Sequence, residues 1–135
     1  MKAAENVRYV EFSPRPMRPL IEDTARAVEQ LKDIKAQRKE HFVGLYLNAR
    51  HELIHKEIVS IGTVNASIVH PRDVFAPALL HNAVALIVAH NHPSGDATPS
   101  PEDNDVTHRL KEAGRLLGIS VREHIIITEF GYSTL

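Results

Sequence analysis

Apolar and polar positions along the chain change period several times, and each change marks an element. From Leu20 to Gln37, Ile21, Ala25, Val28, Leu31 and Ile34 recur at threes and fours among charged residues, which predicts an amphipathic helix. Phe42 to Leu47 is a short apolar run and predicts a strand, with a turn at Asn48-Ala49-Arg50. The β-branched Ile58, Val59 and Ile61 then predict the second arm of a hairpin. A short strand is expected at Ser67-Ile68-Val69. A helix follows from His70 to about Asn82, started by Pro71 and kinked or shortened by Pro77. Ala83 to Ala89 is apolar at every position, the pattern of a strand buried on both faces. Val106, Leu110, Ala113 and Leu117 form one stripe of a helix over 103–117, stopped by Gly118. Ser120 to Thr128 reads as the next strand and Tyr132 to Leu135 as a short edge strand. This order predicts an α/β domain with a single mixed β-sheet flanked by helices, over residues 20–135. Residues 1–19 end in Ser13-Pro14-Arg15-Pro16-Met17-Arg18-Pro19 and read as an extended lead-in, because proline disrupts helix and ladder alike.

The candidate chemistry is concentrated between His90 and Asp103. His90 and His92 lie at the carboxyl end of the apolar run, two residues apart, so in extended chain their imidazoles point the same way. Pro93 and Gly95 turn the chain, and Ser100-Pro101-Glu102-Asp103 has the form of a helix start, with Ser100 as N-cap and Asp103 in the first turn. Two imidazoles and a carboxylate suit zinc, and three protein ligands leave the fourth position open, as in catalytic sites. The same residues also fit strand-end histidines, with Asp103 serving the helix dipole and Ser100 only the cap.

A second arrangement competes with this one. His51-Glu52-Leu53-Ile54-His55 spells His-Glu-x-x-His, which on a helix would place both rings on one face of a zinc site. In a strand the rings are separated by about 13 Å, too far to share an ion. The turn before it and the β-branched residues after it favour the strand. His70 and His81 fall near the ends of the predicted helix and read as caps or surface residues. His108 reads as solvent-facing or at a groove edge. His124 reads either as a partner behind a metal site or as a core histidine.

Composition narrows the classes. The chain has 135 residues, of which 43% are hydrophobic, enough for one packed domain. The formal net charge is −1, so there is no global attraction to nucleic acid. The absence of cysteine excludes disulfides, thiolate metal sites and the Cys-containing zinc centre of nucleobase deaminases. No apolar run reaches membrane-spanning length and no apolar signal core begins the chain, so a cytoplasmic, membrane-free protein is expected.

At His90-Asn91-His92-Pro93, followed by Ser100-Pro101-Glu102-Asp103, the sequence resembles the JAMM signature of the MPN-type metallopeptidases. The longer string from His90 to Asp103 is similar to the RadC branch of that group, as are Gly62-Thr63-Val64-Asn65, His70-Pro71-Arg72-Asp73-Val74, Asn82-Ala83 and Glu123-His124. The resemblance covers roughly residues 20 to 134. It implies a JAMM/MPN (cytidine deaminase-like) layered domain, with His90, His92 and Asp103 as zinc ligands. It implies that Ser100 helps stabilise a tetrahedral intermediate. The family's catalytic glutamate falls on Glu40, which otherwise reads as a surface residue beside Lys39. Asn91 departs from the Ser or Thr usual in peptidase members, and that departure bears on substrate class. RadC members usually carry a helical N-terminal domain, which this sequence is not expected to contain.

Three functions are therefore expected in order. The first is a zinc hydrolase of amide or isopeptide bonds, acting on an unnamed protein or peptide. The second is a DNA-repair or recombination accessory protein, weakly supported because the basic residues are scattered. The third is a zinc-binding scaffold without turnover. The sequence indicates no oligomeric state.

Overall fold

The computed structural model describes residues 6–135, so the first five residues of the expected lead-in lie outside the described residues. From residue 7 to 19 the chain is exposed, without helix or strand, and bends at Phe12 and Ser13. The rest forms one five-stranded mixed sheet with helices on its faces, as the alternating pattern predicts. No helix of the described residues is long and apolar enough to cross a membrane.

Strands β1 (His41–Leu47) and β2 (Leu53–Ile61) pair antiparallel as a hairpin. Helix α2 (Pro71–Leu80) leads to β3 (Ala85–Asn91), which pairs antiparallel with β1. Helix α3 (Pro101–Leu117) then carries the chain back to β4 (Ser120–Ile127), parallel to β3, and β5 (Tyr132–Thr134) closes the far edge. The sheet order is β2-β1-β3-β4-β5. A parallel neighbour requires a crossover, and α3 is that crossover.

The central strands alternate between two cores, as the two-residue pleat dictates. Phe42, Tyr46, Leu86 and Val88 face α2 and α3, where Val74, Phe75, Val106 and Leu110 cover them. Val43, Leu45, Leu47, Ile87 and Ala89 face the opposite layer of Ile21, Ala27, Leu31 and Ile34. Both faces of β1 and β3 are thus buried, which is why Phe42 to Leu47 and Ala85 to Ala89 are apolar.

Three expectations require correction. The helix predicted over Leu20–Gln37 is α1 (Thr24–Glu29) only, capped by Asp23 Oδ1 on the Arg26 amide. Beyond it, amides bond three residues back, Leu31 to Val28, Ile34 to Leu31 and Gln37 to Ile34. Successive tight turns therefore replace helix, and the buried side chains include Ala27 while Ala25 is exposed. The strand predicted at Ser67–Val69 is a turn, because Asn65 Oδ1 accepts from the Ser67 and Ile68 amides at 2.9 and 3.1 Å. Pro77 lies inside α2, which ends at Leu80, two residues short of Asn82. In α3 the apolar stripe is rotated: Leu117 is exposed, and Thr107 and Gly114 are buried in its stead.

Candidate metal centre

The end of β3 and the start of α3 meet at one point. His90 lies in the strand and is fully buried, and the pleat sends it to the α3 side together with Val88. His92 follows one pleat later, its amide still bonded to Ile127 O at 3.0 Å. The two Nε2 atoms are 3.1 Å apart. Both rings therefore point the same way, as the spacing predicts.

Asp103 reaches the same point from the helix. Ser100 and Asp103 form a reciprocal capping box: Asp103 N donates to Ser100 Oγ at 3.1 Å, and Ser100 N donates to Asp103 Oδ2 at 2.8 Å. The box fixes the carboxylate so that Oδ1 is 3.1 Å from His90 Nε2 and Oδ2 is 3.2 Å from His92 Nε2. Burial by itself would raise this carboxyl's pKa. The hydrogen bonds from His90 and from the Ser100 backbone outweigh it and hold Asp103 below the usual carboxylate range. The carboxylate is therefore ionised at neutral pH.

The loop between the histidines and the helix holds His92 in place. Asp96 O accepts from His92 Nδ1 at 2.8 Å, and a carbonyl can only accept, so Nδ1 carries the hydrogen. In the neutral ring, Nε2 then presents its lone pair to His90 and Asp103. Gly95, at φ +87°, turns the loop beneath Phe130, whose ring would lie 3.1 Å from an added Cβ.

Glu40 enters from the other side. It precedes β1, and its Oε2 accepts from Val64 N at 3.1 Å while its carbonyl accepts from Gly62 N at 2.8 Å. Glu40, His90 and His92 each offer a ligand atom within 4.8 Å of the others. The Gly62–Asn65 segment thus positions an acid over the two rings.

Asn91, between the histidines, points to the opposite face and is fully buried. Its Nδ2 donates to Gln37 O at 3.1 Å and Lys39 O at 3.0 Å, and its Oδ1 accepts from His41 N at 2.6 Å. It ties the loop bearing Glu40 to the strand bearing the histidines. Sequence reading singled Asn91 out as a departure but not as a clamp.

His124 lies behind His90, on β4. Its Nε2 is 2.8 Å from His90 Nδ1, and its Nδ1 is 2.5 Å from Thr107 Oγ1. Burial pushes it down to about 3, with His90 adding to the shift, so its ring is neutral. Thr107 has no motif of its own. Its only signal is its place one turn beyond Asp103 on the helix.

The other histidines stand apart from this centre. His51 occupies a turn at φ +64°, with Nδ1 3.0 Å from Arg122. His55 is in β2, where it bonds Glu57 at 2.9 Å and stacks on His81 with ring centroids 4.0 Å apart. The His-Glu-x-x-His string is therefore hairpin and not helix. His70 is the N-cap of α2 without a side-chain bond, and His108 is exposed beside Glu112.

The donor set fits a divalent cation: two imidazoles and an ionised carboxylate converge, with a second carboxylate at the margin. The profile of the RadC-like JAB domain matches residues 21–135. The chain belongs to the RadC-like JAB domain family. It is 47% identical over 130 residues to a UPF0758 protein of Geobacillus sp. strain WCH70, covering 96% of this chain and 54% of that one. A UPF0758 protein of Halalkalibacterium halodurans is 49% identical over 128 residues, covering 95% of this chain and 51% of its own length. One from Methanosarcina acetivorans is 44% identical over 142 aligned residues, covering 99% and 62%. The chain spans about half to three fifths of the length of these relatives.

Proposed function

We propose that this domain is a zinc-dependent hydrolase that cleaves amide or isopeptide bonds in a cytoplasmic protein or peptide. The observation that carries the reading is the convergence of both histidine Nε2 atoms on the two oxygens of Asp103, at 3.1 and 3.2 Å. His90, His92 and Asp103 would hold the ion. When bound, zinc supplies a Lewis acid and makes water acidic enough to act as a nucleophile near neutral pH.

The chain's own groups do the rest. Glu40 takes a proton from the attacking water and passes it to the leaving amine. Its tie to Val64 N holds the carboxylate over the rings. The Ser100 hydroxyl accepts the Asp103 amide, so its own proton is free to donate to the oxygen that gains charge. Asn91 keeps the Glu40 loop in register with the histidines.

Zinc content and turnover of a panel of peptide- and isopeptide-linked reporters test this reading. Glu40→Gln is expected to keep zinc and lose hydrolysis, whereas His92→Ala is expected to lose zinc. Full zinc content in His92→Ala would overturn the assignment of the centre. Loss of zinc in Glu40→Gln would make Glu40 a ligand and remove it as the base.

A further inference from the structure

A line of three groups runs back from the metal centre into the core: His90 on β3, His124 on β4 and Thr107 on α3. Counting hydrogens along it gives the line a direction. Thr107 Oγ1 is 2.9 Å from Asp103 O, which can only accept, so the single hydroxyl proton points there. The reverse polarity would set two acceptor oxygens against each other at that distance. His124 Nδ1 must then donate to Thr107 Oγ1. Neither nitrogen of this fully buried ring meets a carboxylate, so the ring holds one proton and its Nε2 has only a lone pair. His90 Nδ1 must donate into that lone pair. A hydrogen is thereby fixed on His90 Nδ1, and the proton through which Nε2 bonds Asp103 is the one that a cation there would displace.

We propose that Thr107 and His124 are positioning residues that select the His90 tautomer able to bind a cation through Nε2. The inference rests on the reading of His90, His92 and Asp103 as a metal centre. His92 is set in the same tautomer by a different acceptor, the Asp96 carbonyl. Thr107 shares α3 with Asp103, so one helix delivers both the carboxylate and the group that directs the His90 proton. Partners of this kind fix ring orientation and ligand basicity in metal sites.

The test uses the full chain and zinc alone. Imidazole 15N shifts of the metal-free protein are expected to show hydrogen on Nδ1 of both His90 and His124. In Thr107→Val the His124 Nδ1 hydrogen loses its acceptor; zinc affinity is expected to fall by about 10–100-fold, with His90 moving its hydrogen to Nε2. Thr107→Ser is expected to restore both readouts, and thermal unfolding of each variant reports whether the fold is kept. Wild-type zinc affinity in a folded Thr107→Val chain, with His90 still protonated on Nδ1, would sink the proposal. Zinc binding left unchanged by His92→Ala sinks the metal reading instead, and the metal-free shifts still decide whether the relay sets the tautomer.

Discussion

Asn91 separates two candidate ligands by one residue on either side, and the pleat sends its side chain to the opposite face of the sheet. There it meets three partners on the 37–41 loop, all within hydrogen-bonding distance. Asn91→Ala would leave the His41 amide and the Gln37 carbonyl without this partner near a buried site, at a cost of about 1–3 kcal/mol. We expect urea unfolding to show that loss while zinc stoichiometry stays at the wild-type level, because His90, His92 and Asp103 approach from the other face. Zinc loss in a folded Asn91→Ala chain would contradict this separation of roles. At this scale the meeting of His90, His92 and Asp103 was legible: the one-residue spacing of His90 and His92 and the Ser-Pro-x-Asp helix start both have local geometric meaning. The roles of Asn91 and Thr107 were not legible, because their partners are 50 to 54 residues away for Asn91 and 17 away for Thr107.

Helix α3 shows what one element does for the site. Its N-terminus holds Asp103 through the capping box, its first turns carry Thr107, and its far end packs on the strand that follows. Gly114 makes that packing possible: an added Cβ would lie 2.4 Å from Ile119 O. Gly114→Ala is expected to destabilise the fold by about 1–3 kcal/mol, read as a lower denaturant midpoint. An unchanged midpoint would mean that α3 shifts freely on the sheet. The ends of α3 were legible because Ser100, Pro101 and Gly118 each act on their own turn. The first helix was not, since Leu31 and Ile34 suit a helical stripe and a series of three-residue turns equally well. Only their burial against Val43 and Leu45 selects between the two.

Across the whole molecule, two buried groups at the centre make stability depend on pH in the same direction. His124 titrates near 3 in the fold against 6.5 as its ordinary value, so the unfolded chain binds its proton first as pH falls. That contribution is complete above about pH 6.5 and is lost towards pH 3, with a slope of about 1.4 kcal/mol per pH unit for one proton. Asp103 is also held low, so its contribution is present above the ordinary carboxyl pKa of 3.8 and is lost as pH falls below it. The metal-free chain is thus expected to lose stability steadily below about pH 6.5 in denaturant titrations. In His124→Leu the step between pH 6.5 and 3 should shrink. A flat profile over that window would show that His124 is not held neutral by the fold.

Apart from the Ser67–Val69 segment, strand and helix order, the buried character of β1 and β3, and the capped start of α3 were determined by the sequence alone, because period, proline and capping residues act over a few neighbours. Tertiary structure decided which histidines meet. His51 and His55 fit a metal motif as written, yet hairpin pairing keeps them apart from the centre. Glu40, His124 and Thr107 come to His90 only because β1 and β4 flank β3 and α3 crosses between the parallel strands. Such contacts depend on sheet order and register, which no local window of residues encodes.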